Sequence, residues 1–163
     1  MKTQINVVWF KRDLRLEDHA ALEQASKENL PVLLLFVFEP SLWKDPHTDL
    51  RHWRFLYESV VDCYRQFRDR GAKLYLFHRE SEEVWMLLAQ RFRIKTIYSY
   101  EETGLEITYR RDRQFARWCV DREIRWVEFP CNGVQRRCLN RDGWDKKWKA
   151  QMSQSQRQVD WSE

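Results

Sequence analysis

Five short runs of apolar, β-branched and aromatic residues, at positions 5–10, 32–38, 73–78, 96–100 and 125–129, alternate with longer segments of helical period. No other feature constrains the fold so strongly. The first two runs are almost continuously apolar, as strands covered on both faces must be. Parallel neighbours need crossover connections, and helices supply them.

The helical segments carry their own signals. Asp18 is the expected N-cap of a segment holding Ala21, Leu22 and Ala25. The longest begins near Asp49 and spaces Leu50, Trp53, Tyr57, Val60, Tyr64 and Phe67 as one apolar stripe, with Gly71 at its stop. Glu82 and Glu83 open a third, with Val84, Leu87, Leu88 and Phe92 facing inward; residues 106–122 form a fourth around Tyr109, Phe115, Trp118 and Cys119. The order predicts an α/β fold: a Rossmann-like, doubly wound, five-stranded parallel sheet with helices on both faces.

At 163 residues the chain has the length of one domain, and 43% hydrophobic residues suffice for a core. The longest apolar run, residues 30–38, is far short of the ~20 residues a spanning helix needs. Charged residues directly after Phe10 break any signal-peptide order, so a cytoplasmic location and no membrane partner are expected. Cys63, Cys119, Cys131 and Cys138 form no C-x-x-C pair, which points to reduced thiols rather than a metal site. The nine tryptophans include Trp53, Trp85 and Trp118 at helix positions that suit the core.

In an open doubly wound sheet the ligand sits beyond the carboxyl ends of the strands. That selects the loops at 11–15, 39–50 and 101–104. None of the four glycines, Gly71, Gly104, Gly133 and Gly143, follows the first strand. A dinucleotide fingerprint and a P-loop both need glycines there, so an NAD-dependent dehydrogenase and a P-loop NTPase are excluded. The segment reads Trp9-Phe10-Lys11-Arg12-Asp13-Leu14-Arg15-Leu16-Glu17-Asp18, three cations and three acids within eight residues. A self-neutralising salt-bridge cluster accounts for Asp13 and Arg15. Two roles stay open for Arg12: membership of that cluster, or, with Lys11, contact with an anionic ligand or a partner domain.

Residues 9–22, WFKRDLRLEDHAAL, closely resemble the opening of the photolyase and cryptochrome family. The resemblance continues in order through Glu39-Pro40-Ser41-Leu42-Trp43, Arg51, Phe55-Leu56-Tyr57-Glu58-Ser59, Gly71, Glu101-Glu102-Thr103-Gly104 and Arg111-Asp112. It ends with Asn132-Gly133-Val134-Gln135-Arg136-Arg137, Arg141-Asp142-Gly143-Trp144 and Trp148. His19 stands where the family usually has Asn, and Lys11 replaces the more usual Arg. The resemblance implies an N-terminal α/β domain at 1–149, with 150–163 a linker or the start of a helical FAD-binding domain. It implies FAD and damaged DNA for the full-length protein, in light-driven repair or blue-light reception. Catalytic residues are expected in that second domain and none in this chain, which is expected to be inactive alone.

In some family members the α/β domain holds an antenna chromophore, a flavin, a deazaflavin or a folate. Such a group is expected beside Phe10, Lys11, Arg12, Phe36, Phe38 and Glu101. The histidine of the folate-binding branch does not align with His47, which disfavours a folate. The alternative is a stand-alone module binding nucleic acid or protein through Arg136, Arg137, Arg141, Lys146, Lys147 and Lys149, interleaved with Trp144 and Trp148.

Overall fold

A computed structural model describes residues 2–131, 133, 134, 136 and 140–161. The elements run β1 (Gln4–Phe10), α1 (Ala20–Ser26), β2 (Val32–Phe38), α2 (Pro40–Trp43), α3 (Leu50–Asp69) and β3 (Leu74–His78). They continue with α4 (Ser81–Arg91), β4 (Arg93–Tyr100), α5 (Glu106–Val120), β5 (Arg125–Phe129) and α6 (Trp144–Met152). All strand pairs are parallel, in the order β3-β2-β1-β4-β5. The chain leaves β1 on one side for β2 and β3, then crosses back to β4, so the direction of winding reverses between β1 and β4.

Strand alternation sorts the side chains of β1 into two cores. Val8 and Phe10 pack with Leu34, Phe36, Tyr98 and Tyr100 under α1 and α3. Ile5, Val7 and Trp9 pack with Leu33, Leu35, Val37 and Ile97 under α4 and α5. Trp53 and Trp85 are buried as expected, and Trp118 is half-buried against the second core.

Several local features differ from the pattern expected of the sequence. The cap of α1 is His19, whose Nδ1 accepts from the Leu22 N–H (3.1 Å), while Asp18 takes a left-handed backbone with φ 49°. In α3 the cap is Asp49 as expected, and Gly71 (φ 74°) ends the helix. The buried face of α3 is Trp53, Val60, Cys63 and Phe67, leaving Leu50, Tyr57 and Tyr64 exposed. Cys63 and the partly buried Leu56 continue the Val60–Phe67 side, so the helix is rotated a fraction of a turn from its aromatic edge. The same kind of rotation buries Trp85 and exposes Leu87 in α4, and in α5 buries Thr108 and Asp112 while exposing Tyr109. Strand β4 starts at Arg93, where the Arg93 N–H donates to Thr3 O (2.9 Å) beside a register shift at Ile5/Asn6.

The polar tail does not simply lead away. Helix α6 crosses position 149, and the segment after it returns to α1. Asp18 N–H donates to Arg157 O (3.2 Å), Arg157 N–H donates to Asp18 Oδ1 (3.0 Å), and the Arg157 guanidinium meets Glu23 (2.9 Å). Trp161 packs on Phe67, ring centroids 5.8 Å apart. Among the described residues no helix is long and apolar enough to cross a membrane.

Candidate functional site

All three loops selected for their place beyond the strand ends meet at one cavity of about 560 Å³. Phe10 and Phe36, register partners on β1 and β2, form its buried floor. Helix α3 contributes Trp53, Phe55 and Leu56 as one wall, and Leu14 and Leu105 close it from the β1 and β4 loops. Arg12, His47, Arg51 and His52 stand at the rim, and Glu39, Glu102 and Arg111 form a polar end.

The loop after β1 is held from behind by a buried pair. Asp13 accepts the Lys11 N–H at Oδ1 (2.9 Å) and the His19 Nε2–H at Oδ2 (2.7 Å). Since His19 accepts at Nδ1, its donor must be Nε2, and the imidazole ties loop and helix cap together. Burial by itself raises the Asp13 carboxyl, but the hydrogen bond from His19 and those from the backbone outweigh it, and its pKa falls below the ordinary value. Asp13 is thus a shape-fixing residue. Arg15 donates to the Asp18 carbonyl (3.0 and 3.2 Å) rather than to a carboxylate.

Lys11 and Arg12 are neighbours with opposite fates. The Lys11 side chain is 3% exposed and lies on the α5 side of the sheet. Its Nζ meets Asp112 (2.9 Å) and the Tyr100 carbonyl (3.1 Å), 4.6 Å from the Trp9 ring centroid. Arg12 points outward, 56% exposed, with Nε 3.4 Å from Glu102 Oε2. Its guanidinium lies over Gly104, where a Cβ would come within 2.6 Å of Nη1. Glycine leaves that approach open.

Of the other expected site residues, Phe38 stands one layer away. Its ring packs edge-on to Phe36 (4.8 Å) and lines a neighbouring hollow with Trp43, Trp53, Tyr57 and His78. Glu101 does not line the cavity; its carboxylate is 3.9 Å from Arg136, and Glu102 occupies the position facing the ligand space. Glu39, Arg51, Trp53, Glu102 and Arg111 were absent from the expected set. The signal for two of them is simple: Glu39 and Glu102 are acidic residues within two positions of a strand's carboxyl end.

The polar end is one network. Lys11, Arg12, Arg111 and Arg136 interleave with Glu39, Glu101, Glu102, Asp112 and Glu128. Arg111 pairs with Glu39, Asp112 (2.8 Å) and Glu102 (3.6 Å). Burial works against its charge, and the three carboxylates more than restore it, so its pKa rises. Each of those carboxylates shares one cation, and at Glu39 burial wins and raises the pKa. Burial raises Glu128 in the same way.

Arg136 belongs to this network, donating to the Glu102 carbonyl (2.9 Å) and to Glu128 (3.2 Å), which removes it from the expected basic tract. Arg137 of that tract lies outside the described residues, as does Cys138 of the thiol set. Trp144 and Trp148 stack at 6.3 Å. Cys63, Cys119 and Cys131 are free thiols, and no group of metal-ligating side chains occurs among the described residues. The hydroxyls on the cavity wall, Thr48, Ser59 and Thr108, donate to backbone carbonyls. The cavity thus combines an aromatic floor with a cationic rim.

The DNA photolyase family model matches residues 6–136. Cryptochrome DASH of Gloeobacter violaceus is 35% identical over 122 residues, which cover 71% of this chain and 24% of that protein. The crystal structure of a Synechocystis cryptochrome superposes with a TM-score of 0.73 at 25% identity, over 79% of this chain and 28% of that one. An archaeal photolyase of Sulfolobus tokodaii, solved with two FAD molecules, superposes with a TM-score of 0.69 at 23% identity, over 80% of this chain and 30% of that one. The chain spans about a quarter of the length of the curated relatives it matches.

Proposed function

This chain belongs to the DNA photolyase family, and we propose that it works there as the N-terminal α/β domain of a light-driven flavoprotein, with its aromatic cavity as the seat of an antenna chromophore. The carrying observation is the cavity itself. It lies where the winding reverses, has the volume of a small-molecule site, and combines the Phe10–Phe36 floor with Arg12 and Arg51 at the rim.

The residues fit a planar heteroaromatic group. Trp53 Nε1 is buried without a hydrogen-bond partner among the described residues, a donor that a carbonyl on the ring edge would complete. Phe10, Phe36 and Trp53 would hold the ring, Phe38 would stiffen Phe36 from behind, and Arg12 would meet an anionic tail. Lys11 lines the cavity and would also hold the loops through its bond to Asp112, while Glu101, outside the lining, would act through the network alone. This arrangement favours a flavin or deazaflavin, and the Sulfolobus tokodaii relative offers a precedent for two flavins in one fold. A chromophore bound there supplies light absorption and energy transfer.

For the whole protein we infer a family function: FAD chemistry in a helical domain, acting on damaged DNA or in blue-light reception. Residues 1–149 would be the α/β domain, and 150–163 the stretch leading on from it.

Titration of the purified chain with FMN and FAD, followed by flavin fluorescence anisotropy, tests the antenna seat. Arg12→Ala should weaken binding by about tenfold or more, the worth of one charge-assisted hydrogen bond, with unchanged far-UV circular dichroism. No saturable binding of either flavin to the unmodified chain overturns the proposal.

A further inference from the structure

On the α4–α5 side of the sheet lies a second cavity, of about 240 Å³, lined by Ser81, Glu82, Trp85, Arg111, Gln114, Phe115 and Trp118. Three of these residues carry a buried donor nitrogen without a hydrogen-bond partner among the described residues: Arg111 Nη2, which is ion-paired with Asp112 (2.8 Å), and Trp85 Nε1 and Trp118 Nε1, the two neutral donors. Trp85 is 1% exposed, so water at the protein surface cannot compensate its donor. Native structures leave few buried donors unpaired, and two on one cavity ask for acceptors inside it.

The walls narrow the choice. Phe115 and Trp118 stack at 16° with centroids 5.6 Å apart, and Trp85 lies 4.7 Å from Phe115 at 31°. Packed on one another, these rings form a continuous aromatic wall against which a planar ring can lie. Charge narrows it further. The cation on the wall, Arg111, already meets Glu39, Asp112 and Glu102, and Glu82 adds another carboxylate. An anion would therefore find acceptor-hungry indoles but no net positive field. A neutral ring with carbonyl acceptors satisfies the indoles at no electrostatic cost, while Glu82 and Gln114 can accept from ring N–H groups.

We infer that this cavity is a second binding site, distinct from the antenna seat, for a neutral planar heterocycle carrying carbonyl oxygens beside N–H, such as a pyrimidinedione ring. The inference does not depend on what fills the first cavity.

The test uses uracil as the probe and the indole Nε1–H resonances of the ¹⁵N-labelled chain as the readout. Trp85→Phe and Trp118→Phe assign two of the nine indole signals. Millimolar uracil should shift those two together and to saturation, with smaller movement of the rest. Gln114→Trp, at an exposed position of α5, should fill the mouth and abolish the titration while leaving thermal unfolding unchanged; Glu82→Phe, on the opposite lip, checks the same point. The inference is overturned if uracil leaves both signals in place. It is equally overturned if formate moves them and uracil does not, or if both mouth variants titrate like the unmodified chain.

Discussion

Replacing Asp13 by Asn should be among the most damaging single changes in this chain, although it removes no volume. The two carboxylate oxygens each accept one buried donor, the Lys11 N–H at 2.9 Å and the His19 Nε2–H at 2.7 Å. An amide offers one oxygen, and its NH₂ group would confront the other donor. The loss is one charge-assisted bond plus one orphaned donor, together about 3–5 kcal/mol. With a urea m-value of about 2 kcal/mol/M for a chain of this size, the unfolding midpoint should fall by about 1.5–2.5 M. The pH dependence gives a second readout. Because the folded-state pKa of Asp13 lies below its ordinary value of 3.8, the ionised Asp13 carboxylate stabilises fully above about pH 5 and its contribution fades as the pH drops through the folded pKa. The gap between the unmodified chain and Asp13→Asn should therefore narrow below about pH 4. A midpoint shift smaller than about 0.4 M, or a gap constant from pH 7 to about pH 3, would refute the assignment of Asp13 as the anchor of the loop.

Burial holds the Glu39 and Glu128 carboxyls above their ordinary value, so at these two sites the folded chain binds more protons than the unfolded chain just above pH 4.5; their contribution to stability should fall as the pH rises through that window, and the Tm of Glu39→Gln relative to the unmodified chain should rise with pH. The Cys63 and Cys119 thiols, pushed up by burial to about 11 and about 12, should resist Ellman's reagent at pH 8 in the native chain and react on unfolding; fast native labelling of either contradicts their burial. Gly104→Ala places a Cβ 2.6 Å from Arg12 Nη1 and should displace that flexible guanidinium at a stability cost under about 1 kcal/mol, while reducing flavin affinity about as far as Arg12→Ala does. Glu102→Gln removes the carboxylate that competes for Arg12 and should tighten FMN binding several-fold in anisotropy titrations; weaker binding would mean that Glu102 itself holds the ligand.

The sheet is legible in the sequence because a central parallel strand cannot disguise its composition. Both faces of β1 and β2 meet helices, so their residues are apolar without alternation, and their ends fall within a residue of those the pattern marks. The early start of β4 is not legible. It rests on a backbone bond from Arg93 to Thr3 O, and no side-chain pattern encodes that contact. Helix periodicity marks α3 and its cap but not its rotation, since Tyr57 and Tyr64 are apolar enough to belong to the stripe and large enough to stay outside. The return of the tail is invisible for a related reason. Arg157 and Trp161 act as isolated residues meeting Asp18, Glu23 and Phe67 across the fold, with no period to announce them.

Within the site, the limit of the sequence is the direction a side chain takes where a strand ends. Period-2 alternation continues one residue past β1, and that single step decides the roles of two adjacent cations. Lys11 follows Trp9 to the α5 side, where Asp112 neutralises it beneath two indole rings. Arg12 turns outward over Gly104, where Glu102 competes for it. The substitution of the family's usual Arg by Lys at position 11 is intelligible on this geometry. A compact ammonium that donates to one carboxylate and one carbonyl fits the enclosed space, whereas a forked guanidinium would need partners for five donors there. The same turn after β4 sends Glu101 toward Arg136 and Glu102 toward the ligand space. A charge-rich loop thus divides into a buried half that sets the shape of the cavity and an exposed half, chiefly Arg12, that stands at its rim beside Glu102.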